Sequence, residues 1–497
     1  MNSTELLAAL TEWMPAQRWF AGKGTRPSLR LIGSYDLGPG LTTALVLDEG
    51  GQQAKLYQVP LVVSAEPRTE DEGSGSGGSF IARISADADS SSTATPSSST
   101  ATPSSGTAAP SPNTAAPSPS PTATATVSVY DAPHDVRYAH ALLALITGDA
   151  ATPGDGAITA TGRSQVPGHP LVAVSAKVLS GEQSNTSIIM GVETPEGEAA
   201  APVICKVFRV LHHGNNPDVV LQSALAAAGS TRVPASVGSI VGQWNDSRLP
   251  DGRTSGHLAF AQEFLPGVRD AWRVALDAAS AGQSFTAEAA ALGDATAEVH
   301  ETLAAVMPTV APSPDLVAGV LSSMRRRHAG AVREVPDLAA HGDAIARVFE
   351  KAAAIEWPRL QRIHGDYHLG QVLAVPGGGW VLVDFEGEPL RPMVERNQPD
   401  LALRDIAGML RSFDYVAGSH AHSHPGESAA DWATDARTAF LDAYVARSGL
   451  DLEAMRPLLD ALEIDKALYE AIYEARNRPD WLPIPTTAIA RLAASAG

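Results

Sequence analysis

Two short strings in the second half of the chain leave it few architectures. The first is His364-Gly365-Asp366-Tyr367-His368-Leu369-Gly370-Gln371. The second, Val383-Asp384-Phe385-Glu386, comes after a short apolar stretch. Between them the sequence predicts a hairpin over 371–385 that turns at Pro376-Gly377-Gly378-Gly379. The fold must therefore return the strand end at Asp384 to the loop at Asp366, so that two carboxylates and the Gln371 amide share one neighbourhood.

The patterning around these strings gives the order of parts. The spacing predicts a helix over 4–13, strands over 29–32 and 42–47, and a helix over 138–146. Residues 171–264 read as short strands with one helix over 218–228, and the chain from Ser284 onward reads as mostly helical. Residues 86–126 are almost entirely Ala, Ser, Thr and Pro, and Gly73-Ser74-Gly75-Ser76-Gly77-Gly78 stands just before them. Such a stretch has little to bury against its ordering entropy, so it is expected to be a disordered insertion within an N-terminal unit. The expected division is an N-terminal domain over 1–150, a β-rich lobe over 151–270 and a helical lobe over 271–497. This is an α+β, two-lobed arrangement with an additional N-terminal domain.

Several classes are excluded by composition. A net charge of −19 argues against nucleic acid or an anionic membrane as partner. The single cysteine, Cys205, rules out an internal disulfide and a multi-cysteine metal site. With no long apolar run and no signal-peptide pattern at the start of this sequence, a cytoplasmic, monomeric enzyme acting on a small molecule is expected.

The chemistry follows from residue types. Asp366 is the candidate base, able to take the proton of an acceptor hydroxyl, and Gln371 and Asp384 offer oxygen ligands to Mg²⁺; phosphoryl transfer from ATP needs these parts. Glu386 is placed either beside the metal or in a local hydrogen bond. Lys206 sits inside the apolar strand Val203-Ile204-Cys205-Lys206-Val207-Phe208, a costly position unless an anion such as a phosphate meets it. Upstream, Ser180, Gly181, Gln183, Ser184 and Asn185 have the position of a hairpin that covers phosphates. Gln262 and Phe264 fall where two lobes would join and backbone groups could meet adenine. In the last long helix, Glu463, Lys466, Glu470, Tyr473 and Asn477 recur at spacings that place them on one face, and Trp481 lies just beyond. Polar groups with an aromatic suit a sugar. His368, Arg411 and Asp414, with Asp366 itself, complete the expected acceptor pocket, and Asp405 is expected to lock the loop around Asp366.

These strings resemble the bacterial maltokinases and actinobacterial glucosamine kinases, within the aminoglycoside-phosphotransferase-like group of kinases. The resemblance is carried by residues 364–371, Asp384-Phe385-Glu386-Gly387-Glu388-Pro389, residues 404–415 and 465–485. Near the start, Gln17-Arg18-Trp19-Phe20-Ala21-Gly22-Lys23-Gly24 is similar to the opening of the family's cap domain. The resemblance implies a eukaryotic-protein-kinase-like fold with an N-terminal α/β cap, Mg²⁺-ATP, and transfer of the γ-phosphate to a sugar hydroxyl. By position it makes Asp366 the base, Gln371 and Asp384 the metal ligands and Lys206 the phosphate-binding lysine. One departure stands out: where the helix after Lys206 usually carries a glutamate partner, this chain has Val220. The expected acceptor is D-glucosamine, because Asp366, Glu463 and Glu470 could balance its ammonium; maltose, an aminoglycoside, or silent sugar binding are the alternatives.

Overall fold

The computed structural model describes residues 2–51, 53–66, 79–86, 126–155, 158–179, 184–249, 251–377, 379–389 and 391–494. The expected disordered insertion at 86–126 and the glycine-serine tract before it lie almost wholly outside them.

The N-terminal unit begins with helix α1 (Ser3–Trp13), capped by the Asn2 side chain, which accepts from the Thr4 and Glu5 N–H groups. Its sheet consists of β1 (Leu29–Gly38), β2 (Leu41–Asp48), β3 (Lys55–Ser64), β4 (Phe80–Ser85) and β5 (Thr126–Asp131), ordered β1-β2-β3-β5-β4. Both faces of β2 are covered. Ala44 and Val46 pack with Leu6 and Leu10 of α1, whereas Leu45 and Leu47 point into a core shared with the second sheet. That two-sided burial is what alternate side-chain directions produce when a strand lies between two layers.

Helix α2 (Val136–Thr147), although inside the expected first domain, packs on the second sheet through Tyr138, Leu142, Leu143 and Ile146. The second sheet thus takes a covering helix from within the expected 1–150 span. The second sheet comprises β6 (Ala151–Pro153), β7 (Thr159–Ser164), β8 (Val172–Val178), β9 (Asn185–Glu193) and β10 (Val203–Phe208), and the chain then adds β11 (Val210–Leu211) to β3 of the first sheet. Helix α3 (Pro217–Ala227) follows, and β12 (Ser236–Asn245) and β13 (Arg253–Glu263) complete the order β6-β7-β12-β13-β10-β9-β8. Cys205 points into the core, and burial pushes its thiol up to about 12; its neighbour Lys206 points the other way.

Gln58 ties the two sheets. Fully buried, its amide donates to the carbonyls of Phe208 and Leu258 at 3.0 and 2.9 Å, and its Oε1 accepts from the Tyr35 hydroxyl at 2.8 Å. Gln58→Leu fills the same space but strands these groups, each at a cost of about 1–3 kcal/mol. Thermal unfolding should show a variant destabilised by several kcal/mol in total; an unchanged midpoint would mean that water replaces the amide.

The helical lobe opens with β14 (Arg269–Asp270) and α4 (Ala271–Ser280), both earlier than the sequence pattern suggests, and continues with α5 (Thr286–Val306), α6 (Pro314–Glu334) and α7 (Gly342–Ala354). The expected hairpin is present as β15 (Val372–Val375) and β16 (Gly379–Leu382), with β14 pairing against β15 as a third strand. Then come α8 (Met393–Arg396), α9 (Ala402–Ser423), α10 (Ala430–Ser448), α11 (Leu452–Asn477) and α12 (Pro483–Ala494). A single core, including Leu292, Tyr367, Phe385, Phe413, Phe440 and Leu468, joins helices and hairpin. No helix among the described residues is long and apolar enough to cross a membrane.

Candidate active site

The loop at Asp366 is held from below by one buried carboxylate. Asp405, in the first turn of α9, accepts from the N–H groups of His364 and Gly365 at 2.8 and 2.9 Å and contacts His300 Nε2 at 3.1 Å. His364 in turn links the loop to the hairpin: its Nε2 lies 3.0 Å from the Val383 carbonyl, and its ring sits 4.5 Å from that of Phe385. Asp366 and Asp384 are thereby fixed on one framework.

Asp384 has φ +66°, a left-handed conformation that non-glycine residues adopt at a cost of about 1–3 kcal/mol. The Phe385 N–H donates to Asp218 Oδ1 at 2.7 Å and the Phe385 ring is fully buried, which holds the residue in place. The Asp384 carboxylate stands 39% exposed, turned toward Lys206 and Gln371.

Lys206 resolves the question raised by Val220. Its Nζ lies 2.8 Å from Asp218, 2.9 Å from Asp384 and 3.3 Å from Glu386. Asp218, in the first turn of α3, takes the place expected of a glutamate further along that helix. Asn216 caps α3, and its own N–H donates to His257 Nδ1 at 3.0 Å. Burial opposes the charge on Lys206, but the three carboxylates outweigh it and hold the ammonium pKa well above its ordinary value. Burial also raises Glu386, with Asp384 and Asp218 adding to the rise.

The donor set suits a hard divalent cation. One oxygen each of Asp218, Asp384 and Glu386 fall within 4.8 Å of one another, but Asp218 is committed to Lys206 and the Phe385 N–H, which leaves Asp384, Glu386 and Gln371 as the set for a cation. Gln371 touches Asp384 Oδ2 through its Nε2 at 3.1 Å, and an amide carries its oxygen on the same terminal carbon. Oxygen-only ligands of this kind fit Mg²⁺.

From the other side, Lys466 of α11 reaches Asp366 Oδ1 at 3.3 Å and Glu388 Oε1 at 2.9 Å. Glu388 was not singled out from the sequence; its place in Asp384-Phe385-Glu386-Gly387-Glu388, two residues past Glu386, was the available signal. His368 is half-buried beside the loop, its Nδ1 accepting from the Gly370 N–H, and burial lowers its pKa.

The rest of the expected α11 face divides. Glu470 binds Arg411 at 2.8 Å, and Arg411 also binds Asp414 at 2.5 Å. Glu463 is a correction: fully buried, it pairs with Arg437 at 2.8 Å and Arg491 at 3.1 Å, and serves the packing of α10, α11 and α12. Tyr473 and Asn477 are exposed, with Asn477 Nδ2 donating to the Tyr473 carbonyl. Trp481 stacks on Tyr415 at 6.3 Å and lies under Arg478 at 4.7 Å.

On the β-rich side, Asn185 Nδ2 donates to Glu386 Oε1 at 2.9 Å and so touches the Lys206 cluster, and Ser184 is exposed at the start of β9. Ser180, Gly181 and Gln183 lie outside the described residues. Gln262 sits in β13 opposite Ile204. For Phe264 the backbone donor is already taken: its N–H donates to the Pro202 carbonyl at 2.7 Å, which leaves its carbonyl as the backbone group for adenine.

Residues 13–91 match the maltokinase N-terminal cap domain, and residues 221–458 match the phosphotransferase enzyme family. A glucosamine kinase of Streptacidiphilus jiangxiensis is 31% identical over 339 residues, covering 63% of this chain and 72% of that protein. A glucosamine kinase of Mycolicibacterium smegmatis is 28% identical over 338 residues, covering 63% and 78%. The fold is that of a glucosamine kinase solved in complex with glucosamine, ADP and inorganic phosphate, at a TM-score of 0.63 and 22% identity over 97% of this chain and 98% of that one. A second crystal form of a glucosamine kinase gives a TM-score of 0.64 at 23% identity, covering 97% and 99%. By the Streptacidiphilus relative and the two matched domains, the chain belongs to the phosphotransferase enzyme family, in the branch that carries a maltokinase-type N-terminal cap.

Proposed function

We propose that this enzyme transfers the γ-phosphate of ATP to D-glucosamine, giving glucosamine 6-phosphate and ADP. The observation that carries the reading is that His364 ties the Asp366 loop to the Val383 carbonyl, next to Asp384 of the Lys206–Asp384–Glu386 cluster. The sugar's 6-hydroxyl oxygen attacks the γ-phosphorus, the bond from phosphorus to the β,γ-bridging oxygen breaks, and the hydroxyl proton passes to Asp366. Lys206 pairs with the phosphates, and Asp218 holds that lysine in place. Asp384, Gln371 and Glu386 would hold Mg²⁺, which neutralises developing phosphate charge when bound. The enzyme is proposed to work as a cytoplasmic monomer, and Ser180, Gly181, Gln183, Ser184 and Asn185 to cover the phosphates.

Glucosamine is favoured by the relatives' activity. Glu463 and Glu470 are committed to arginines, and Asp366 and Glu388 both meet the Lys466 ammonium, so the carboxylates of this pocket do not by themselves select an amino sugar. His368, Lys466, Tyr473 and Trp481 remain the proposed groups around the sugar; Arg411, Asp414 and Glu470 position the helix behind them. The maltokinase-type cap favours maltose as the second reading. Steady-state rates decide: glucosamine should exceed maltose, and also N-acetylglucosamine, which lacks the ammonium, by at least tenfold in kcat/KM. A maltose rate above glucosamine would overturn the assignment.

A further inference from the structure

One stretch of chain serves both sheets. β10 carries Lys206 in the second sheet; after Arg209 the chain joins the cap as β11, with Val210 opposite Tyr57 and Leu211 opposite Leu56. The Gln58 N–H donates to the Arg209 carbonyl at 2.9 Å. The Arg209 side chain is fully buried at this junction. Its Nη2 donates to both oxygens of Asp131, at 2.9 and 2.7 Å, and its guanidinium carbon lies 4.8 Å from the Trp19 ring centroid; Asp131 and Trp19 are cap residues. Its Nε donates to Thr186 Oγ1 at 2.8 Å, in β9 of the second sheet. Thr186 is the neighbour of Asn185, which donates to Glu386.

A buried ion pair is an uneconomical way to glue two sheets, because apolar side chains of similar size hold them as well or better. What the guanidinium adds is direction: a rigid fork that fixes several partners at once. Here those partners run from the cap to the first residues of β9 and, through Asn185, to the Lys206 cluster. We propose that Arg209 is a positioning residue through which the cap sets nucleotide affinity: by holding Thr186 it fixes the adjoining Asn185, which meets Glu386 beside Lys206. The inference rests on the phosphotransferase reading of that site. Because coupling of binding free energies is reciprocal, bound nucleotide must in turn steady the Trp19–Arg209–Asp131 contact.

The test is direct binding of ADP and a non-hydrolysable ATP analogue, with Mg²⁺, by calorimetry. Arg209→Met alone strands Asp131 as a buried charge, so the Arg209→Met/Asp131→Leu double variant is used. It should fold and bind nucleotide about fivefold or more weakly, with kcat at saturating ATP within about twofold of wild type. Adding Asn185→Ala to it should weaken binding less than Asn185→Ala does alone, since the two act on one path. An unchanged dissociation constant in the folded double variant, or additive effects, overturns the proposal. Hydrogen exchange on the wild-type protein gives an independent reading: nucleotide should slow exchange at the amides of Trp19, Tyr57 and Gln58, and no change there overturns it. A wild-type protein that binds nucleotide but leaves glucosamine untouched refutes only the sugar assignment, and the comparison of dissociation constants still decides this one. Failure to bind nucleotide at all overturns both.

Discussion

Asp366→Asn should lower kcat by about a thousandfold while leaving the dissociation constant of Mg²⁺-nucleotide within about twofold. The substitution keeps the size and one oxygen of the side chain but removes the group that accepts the hydroxyl proton. Lys466 retains Glu388 as a partner at 2.9 Å, so the variant loses no fold-critical ion pair. Asp366 itself is 23% exposed, which makes a folding defect an unconvincing explanation for lost turnover. Single-turnover kinetics with nucleotide binding measured in parallel separate the two effects. Turnover near the wild-type value would remove Asp366 from the role of base.

Asp405→Ala should produce the largest loss of stability, about 3–5 kcal/mol, together with near-complete loss of activity. Asp405 is almost fully buried and accepts from two successive backbone N–H groups, and His300 loses one of its two ring partners with it. Without it the His364 and Gly365 amides have no replacement acceptor, and the loop that presents Asp366 loses its anchor. Asp405→Asn keeps one oxygen and should fall between the two. Thermal unfolding followed by circular dichroism reads the difference; an alanine variant as stable as wild type would mean that the loop is held elsewhere.

Local patterns carried much of this architecture. The period of 4–13 and 138–146 fixes α1 and α2 to within a residue or two, and the glycine-rich turn between two apolar runs fixes the hairpin. The string 364–371 could be read because its chemistry is packed into consecutive residues. What escaped depends on which neighbour covers a face. The spacing of Glu463, Lys466 and Glu470 does place them on one side of α11, yet Glu463 meets Arg437 and Arg491, and Glu470 meets Arg411, from helices whose approach no periodicity announces. Asp218 was passed over because the partner of Lys206 was sought one half-turn later, at Val220; a short acid in the first turn of α3 reaches the lysine instead. The junction at Arg209 was equally hidden, since a two-residue strand that leaves one sheet for another has no pattern of its own. The bond from the Phe264 N–H to Pro202 was hidden too, a pairing distant in sequence that leaves only the carbonyl for adenine.

ADP release from Mg²⁺-ATP with glucosamine as acceptor, followed for the wild-type protein and for Asp366→Asn side by side, decides whether the chain is a sugar kinase that uses Asp366 as base. ADP should form in step with glucosamine 6-phosphate in the first, and almost none should form in the second. ADP release no faster with glucosamine than without it, in a protein that still binds nucleotide, would contradict that reading.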